Sequence, residues 1–435
     1  MKRNAVAVAV GALFIAPAAQ AQIVFGNETI GTVQFYGKLY PQLATAKSTG
    51  ATAVGSDVST LVSVNGILPA STSAQGIVTA NGTNAGSRNS VDSSNSNLGF
   101  RGERRLGGAG LKAIWQVEQQ INLETGTGTF SNRNTFVGLN GAFGTVKLGN
   151  MDTVYKDYGD TFSMLGVSSG NFVSASNVLS HIGVGNVRAA RFHERRPNAL
   201  TYETPQFRGI TAGVMYGPDE ARGNSGSTTD ANLYSYGVKY DSEMFYVSLA
   251  QERHNDFFGG SNNIPAFNST LRNGSTSGTT GAFTPGAGAH SRDVATRLSG
   301  EIRLGIHRLV GDIARLEYKE SGQTGAGKFD TYKHTNWAIG WEARWGGPWR
   351  TAIQYIQGGE GTCSLTGGVQ CSTTGLKGTQ LNFGVGYSVD RQTMLFALAS
   401  RLTNDKSAMY DNWDATDPGR GGDITQMAIG ISYTF

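Results

Sequence analysis

The connections in this chain alternate, short then long, between segments that each carry one apolar face. Tight links fall at Gly107-Gly108, Asn140-Gly141, Pro205-Gln206, Asp241-Ser242-Glu243, Gly305, Gly346-Gly347-Pro348 and Asp390-Arg391. Longer polar stretches separate them at 47–90, 125–130, 150–195, 218–231, 255–291, 321–330, 358–375 and 404–422. Seven short and eight long connections make sixteen strands. A soluble sandwich gives no reason for so strict an alternation. A closed membrane barrel does, with small turns at one rim and large loops at the other, and an even count of sixteen leaves room for an aqueous channel.

The segments themselves show a period of two, as strands require. Leu111, Ala113, Trp115, Val117 and Ile121 alternate with Lys112, Gln116, Glu118, Gln120 and Asn122; Trp337, Ile339 and Trp341 alternate with Asn336 and Glu342. The last strand sets Met427, Ile429, Ile431, Tyr433 and Phe435 on one face. In a soluble sheet such a face turns inward, whereas in a membrane barrel it turns out to lipid. Composition agrees with many strands joined by turns: 61 Gly, 16 Tyr and 20 Phe among 435 residues are poor helix material. A chain of this length ordinarily divides into two or more domains, but no linker divides this one. A single large barrel resolves the conflict.

The first residues carry an address. Lys2 and Arg3 precede an apolar run from Ala5 to Ala16, and Ala19-Gln20-Ala21 fits a signal-peptidase site after Ala21. The run is too short to span a bilayer as a helix. Residues 1–21 are therefore expected to be removed, leaving 22–435 as one domain with 34 basic and 32 acidic residues. That balance gives no general case for nucleic-acid binding. Cys363 and Cys371, eight apart in a Gly/Ser/Thr loop of an exported chain, read as a disulfide. Free thiols and a metal pair are the weaker alternatives, since no histidine or third thiol lies nearby.

Candidate functional residues follow from the longest interruption in the strand pattern. From Asn150 to Arg195 the alternation stops, and the stretch ends in Arg188, Arg191, His193, Arg195 and Arg196. So many charges suit a loop folded into a wet lumen better than a lid on an apolar core. Parity puts Lys38, Arg101, Glu118, Arg297, Glu301, Arg303, Arg344, Arg350 and Arg401 on polar faces. On the lipid face each such charge would cost roughly 2–4 kcal/mol near midplane. Arg133 is less clean, because its parity partners Val137 and Leu139 are apolar. The remaining long loops, rich in Ser, Thr, Asn and Gly, read as solvated surface, with Leu61–Leu68 the one stretch apolar enough to pack locally. Gly322–Lys328 mimics a phosphate loop, but Phe329 stands where Ser or Thr should be, and a strand follows instead of a helix. Six scattered histidines show no ligand spacing, so neither cofactor nor metal is expected.

Phe35-Tyr36-Gly37-Lys38, Asn97 to Glu103, Gly110 to Glu118, Phe136 to Leu139, Phe143 to Gly149 and the ending Tyr433-Thr434-Phe435 together resemble the Gram-negative general porins. The resemblance implies an all-β, sixteen-stranded antiparallel transmembrane barrel with short periplasmic turns, long external loops and a third loop folded into the lumen. It implies a homotrimer in the outer membrane, in contact with lipid and lipopolysaccharide, assembled by barrel-assembly machinery reading Phe435. It further implies passive diffusion of ions and small hydrophilic solutes through a constriction where basic wall residues face the loop. Lys38, Arg133 and Arg195 or Arg196 align with the wall, and Asp157 and Asp160 with the loop. The Pro-Glu-Phe-Gly-Gly segment of some members is replaced by Ser163-Met164-Leu165-Gly166-Val167-Ser168. The loop's acidic half is thereby thinned, and a mild anion preference is expected. The alternatives are a substrate-specific channel with a saturable site for phosphate, an organic anion or a saccharide, and a hydrolase on a barrel scaffold.

Overall fold

The computed structural model describes residues 23–27, 31–63, 76–77, 84–108, 110–165, 172–186, 190–219, 229–276, 282–412 and 419–435. The expected signal segment and its Ala21 junction lie outside them. β1 comes in two pieces, Gly31–Leu39 and Gln42–Thr49, parted at Pro41, which has no N–H to give a ladder. β2 is likewise Arg88–Asp92 and Asn97–Arg105. Then follow β3 (Lys112–Gln120), β4 (Thr135–Gly141), β5 (Gly144–Asp152), β6 (Arg195–Glu203), β7 (Ile210–Gly217) and β8 (Leu233–Asp241). The second half comprises β9 (Phe245–Asn255), β10 (His290–Leu304), β11 (His307–Ser321) and β12 (Phe329–Arg344). It ends with β13 (Trp349–Gly358), β14 (Gly378–Ser388), β15 (Thr393–Asn404) and β16 (Asp423–Thr434).

Each strand pairs antiparallel with the next, and the ring closes where Lys38 and Leu39 of β1 face Thr434 and Tyr433 of β16. Gly37 and Phe435 exchange both backbone hydrogen bonds at 3.0 Å across that seam. The sixteen-stranded closed barrel is therefore the observed architecture. The turn expected at Asn140-Gly141 sits two residues later, on Ala142-Phe143. Asn140 remains paired with Thr145, and Gly144, at φ 109°, takes the backbone shape that glycine tolerates best.

The outward faces are oily and the inward faces polar. Phe383 is 48% and Ile429 62% exposed, while Glu252, Asp293, Asn336 and Asn382 are completely buried. β15 departs from the rule, because Phe396, Leu398 and Leu402 point inward and are buried although Leu395, Ala397 and Ala399 point outward. Both its faces are apolar, so parity misassigned Arg401. That side chain lies on the outer face at the long-loop end, 68% exposed, with Asp423 3.6 Å away.

The inner apolar surface exists because loops lie against it. The connection after β5, here L3 (residues 153–194), presses large side chains onto small wall residues. Phe162 sits on Gly340, where a Cβ would overlap its ring, and Tyr158 sits on Gly213, where a Cβ would lie 2.7 Å from its hydroxyl. The other long loops are not simply solvated. Val58 and Leu61 of L1 (50–87), Phe258, Ile264 and Leu271 of L5 (256–289), Leu376 of L7 (359–377) and Ala408 and Tyr410 of L8 (405–422) are essentially buried. Hydrogen bonds tie them together: Ser372 O accepts from Thr60 N at 3.0 Å, and the Ser407 hydroxyl from Ser59 N at 2.8 Å. Asn268 of L5 donates to the carbonyls of Thr60 (3.2 Å) and Leu61 (3.4 Å). L1 leaves the barrel between β1 and β2 and L5 between β9 and β10, eight staves away, so this contact spans the mouth. Cys363 and Cys371 are joined within L7, with Cα atoms 5.7 Å apart.

Replacing Gly340 by Val should force Phe162 off the wall, an overpacking cost of about 1–3 kcal/mol. Urea unfolding of the detergent-solubilised protein should show a lower midpoint, with L3 cleaved faster by protease than in the parent.

Candidate functional site

L3 runs inside the barrel as a band fixed to one wall. Thr153 caps its first helix, α1 (Val154–Gly159), accepting from Lys156 N at 3.3 Å. Tyr155 N reaches the Ser235 hydroxyl of β8 (2.9 Å), and the Tyr158 carbonyl accepts from Tyr246 (2.6 Å) and Ser248 (2.7 Å) of β9. Glu342 of β12 receives the backbone N–H groups of Ser163 (2.9 Å) and Met164 (2.8 Å). Further round, Gln380 and Asn382 of β14 donate to the carbonyls of Phe172 (2.7 Å) and Val173 (2.8 Å). After α2 (Ser176–Leu179) the loop returns, and Tyr318 of β11 donates to Ala190 O at 2.7 Å. A peptide group inside a barrel needs such partners, and the wall supplies them with alternate, inward-facing polar residues.

Across the lumen, on β1 to β3 and the approach to β4, four of the predicted residues, Lys38, Arg101, Glu118 and Arg133, come together with Gln34, Tyr36 and Tyr40. Arg101 lies over the Tyr36 ring at 4.8 Å and donates from Nε to Gln34 at 2.5 Å. Tyr36 donates to one oxygen of Glu118 (2.9 Å), and Arg133 donates to the other (2.5 Å). Lys38 rests over the Tyr40 ring at 4.3 Å and feels the Arg133 charge. The group holds three cations and one carboxylate. Arg133 precedes the start of β4 at Thr135, so parity with Val137 never applied to it.

The other predicted residues lie elsewhere. Arg195 pairs with Asp152 at 2.9 Å, and Arg196 reaches Ala231 O (3.3 Å) and the Phe257 ring, away from the group around Glu118. Arg297 is buried beneath L3, ion-paired with Asp312 at 2.9 Å and packed on Gly159. Arg344 ends β12 at the short-turn rim, exposed. Asp157 and Asp160 are on L3, but both are answered by wall or loop cations. Burial raises the Asp157 carboxyl, and Lys239 and Lys147 only partly oppose it. For Asp160, burial pushes upward, yet the His193 ring 3.3 Å away, with Lys156 and Arg297, outweighs it and holds the group below its ordinary value.

Sequence reasoning missed Tyr36 and Gln34 as members of the basic group, although both precede Lys38 at alternate positions. It also missed the junction below L3, where Arg308 pairs with Glu301 (2.5 Å) and Glu342 (3.0 Å) and reaches Thr161 O. Parity could have found these; only the docked loop reveals their use. The phosphate-loop mimic is the plain connection from β11 to β12.

A model of the Gram-negative porin family matches residues 5–407. The chain belongs to that family. It is accordingly an outer-membrane protein of Gram-negative type, and membership, not any feature missing from the site, sets aside the hydrolase alternative. The major outer membrane protein P.IB of Neisseria lactamica is 32% identical over 163 residues, 37% of this chain and 44% of that one. The porin thus spans less than half the length of that relative in the match. Among solved structures, the anion-selective porin from Comamonas acidovorans covers 93% of this chain and 99% of its own at 20% identity and TM-score 0.62. OmpT of Vibrio cholerae in trimer form covers 93% and 99% at 14% identity and TM-score 0.55. Likenesses at these identities carry the fold.

L3 also holds a proton-sensitive residue. Burial, with Arg191 and His193 nearby, keeps His181 well below its ordinary value of 6.5, so the docked loop holds the ring neutral. The stability this gives docking is complete above about 6.5 and is lost as pH falls, since the undocked loop takes up a proton that the docked loop refuses. Amides 176–182 should therefore lose hydrogen-exchange protection, corrected for intrinsic rates, between pH 7 and pH 5. In His181→Gln that dependence should disappear; an unchanged slope would assign it to another group.

Proposed function

We propose that this porin forms a water-filled channel for passive diffusion of ions and small hydrophilic solutes, mildly preferring anions, and works as a homotrimer. The observation that carries the reading is the charge imbalance of the open wall: Arg101 and Arg133 lie around Glu118 with Lys38 beside Arg133, while Asp160 of L3 faces His193 and Lys156 and Asp157 is partly opposed by Lys239 and Lys147. Fixed cations beside a narrow aqueous path, with low-dielectric walls focusing their field, raise the local concentration of anions. Lys38, Arg101, Glu118 and Arg133 line the constriction in this reading. Asp157, Asp160 and Arg297 hold the loop, Arg195 and Arg196 brace its root, and Arg344 sits at the periplasmic mouth. The anion-selective porin from Comamonas acidovorans, similar in fold, supports the sign of the preference.

Uneven wall height supports association. β4 has 7 residues and β3 and β5 have 9 each, against 15 in β10 and β11 and 16 in β12. At about 3.3 Å per residue the low side rises little more than half as far as the high side. It exposes Val137 (66%) and Leu148 (61%), a face for a neighbouring copy. The trimer form of OmpT, similar in fold, is consistent with this.

Bi-ionic reversal potentials in planar bilayers test the selectivity. The parent should favour anions, and the combined Lys38→Gln, Arg101→Gln, Arg133→Gln variant should lose the preference or reverse it. Neutralising Arg195 with Arg196 should matter less, because Asp152 already answers Arg195. Cation preference in the parent would sink the proposal, and channel closures that never come in threes would sink its trimeric part.

A further inference from the structure

A cavity of about 530 Å³ opens at the long-loop end between L3, L5 and L8. Two guanidiniums, Arg272 and Arg420, are part of its lining, and no carboxylate is among the described residues that line it. Arg420 donates from Nη1 to the carbonyls of Val184 (2.8 Å) and Ser407 (2.6 Å). Arg272 donates from Nε to Ser261 O at 3.0 Å and from Nη2 to the Thr276 hydroxyl, with its plane over the Phe283 ring at 5.2 Å. Neither forms an ion pair with an acid among the described residues. Glu320, whose charge reaches Arg272, already receives Ser261 N (2.7 Å) and Asn273 (2.5 Å).

A buried guanidinium, Arg272, and a half-buried one, Arg420, hydrogen-bonded to neutral oxygens, are costly to hold. For Arg420 burial lowers the guanidinium to about 10. What would offset that cost is an anion entering from solvent. The rest of the lining says what kind. Ile264, Phe283 and Met409 offer an apolar wall, and Asn262 adds an amide at the rim, that of Asn186 being taken up by Asp411 (2.9 Å) and Arg191 (3.0 Å). A bare inorganic anion would leave that apolar wall wet.

We propose that this vestibule pocket binds a small organic acid, its carboxylate between Arg272 and Arg420 and its flat apolar body against Phe283, Ile264 and Met409. The guanidinium forks suit a planar two-oxygen group, and the cavity suits a body the size of one aromatic ring. The site lies on the loops and is independent of the charge pattern around Glu118.

Titration calorimetry on the full-length protein in detergent tests this with benzoate, its neutral analogue benzamide, and inorganic phosphate. Benzoate should bind saturably, one per chain, and more tightly than either comparator. Arg272→Gln and Arg420→Gln should each weaken it about tenfold or more, the loss of one charge-assisted contact. Because Arg420 also ties L8 to L3, Phe283→Ala gives a second reading that leaves those ties alone, and it too should weaken benzoate. Absence of benzoate binding, equal binding of benzamide or phosphate, or binding unaltered in both arginine variants would overturn the assignment. Reversal potentials on the same preparation keep the two readings apart. Benzoate binding without anion preference would refute only the selectivity, and anion preference without benzoate binding only the pocket.

Discussion

Everything in this molecule depends on hydrogen bonds meeting round a circle. In hydrocarbon an unpaired peptide group costs several kcal/mol, so a sheet can cross a membrane only if its last strand finds its first. Here that meeting is made by Lys38 and Leu39 with Thr434 and Tyr433, and is finished by the Gly37–Phe435 pair. Once the ring is shut, side-chain direction is no longer free. Alternate residues must face lipid, which explains why Phe383 and Ile429 are bare while Asn382 and Gln426 are covered.

The inward half of each strand is then available to hold something, and what it holds is L3. The loop brings carbonyls and N–H groups that would be stranded without partners. The wall answers with Ser235, Ser248, Glu342, Gln380 and Asn382 at the loop's height, and with glycine where Tyr158 and Phe162 need room. Polar satisfaction and close packing act together, fixing the band to β7 through β15 and leaving β1 to β3 open to the lumen. The uneven charge of the open wall is thus a by-product of where the loop is attached: its own acids are used in attaching it.

Much of this could be read from the chain, for identifiable reasons. Trp337, Ile339 and Trp341 alternate with Asn336 and Glu342 because lipid and lumen demand it, and the spacing of turns gave the strand count. Where a loop docks, that logic fails. β15 is apolar on both faces because Phe396 and Leu398 serve L3, and Arg401 was therefore assigned to the wrong side. Tyr410, Leu271 and Phe258 escaped notice among Ser, Gly and Asn because their burial comes from distant loops and strand ends, as with Tyr410 against Gly183 of L3 and Gly358 and Gly378 of β13 and β14. The grouping of Lys38, Arg101, Arg133 and Glu118 was legible as a list of wall residues. Their arrangement through Tyr36 and Gln34 was not, since it depends on which strands are neighbours.

The bridge from Thr60 and Leu61 to Asn268 carries a further consequence. Outer loops are the part of such a protein that antibodies and phages meet, and loops that hang free can change one at a time. Those that clasp one another over a shared apolar centre cannot, because a new residue at Leu61 or Leu271 must suit a partner some two hundred positions away. Escape variants of this surface should therefore arise as matched sets, with drift confined to residues that touch no other loop.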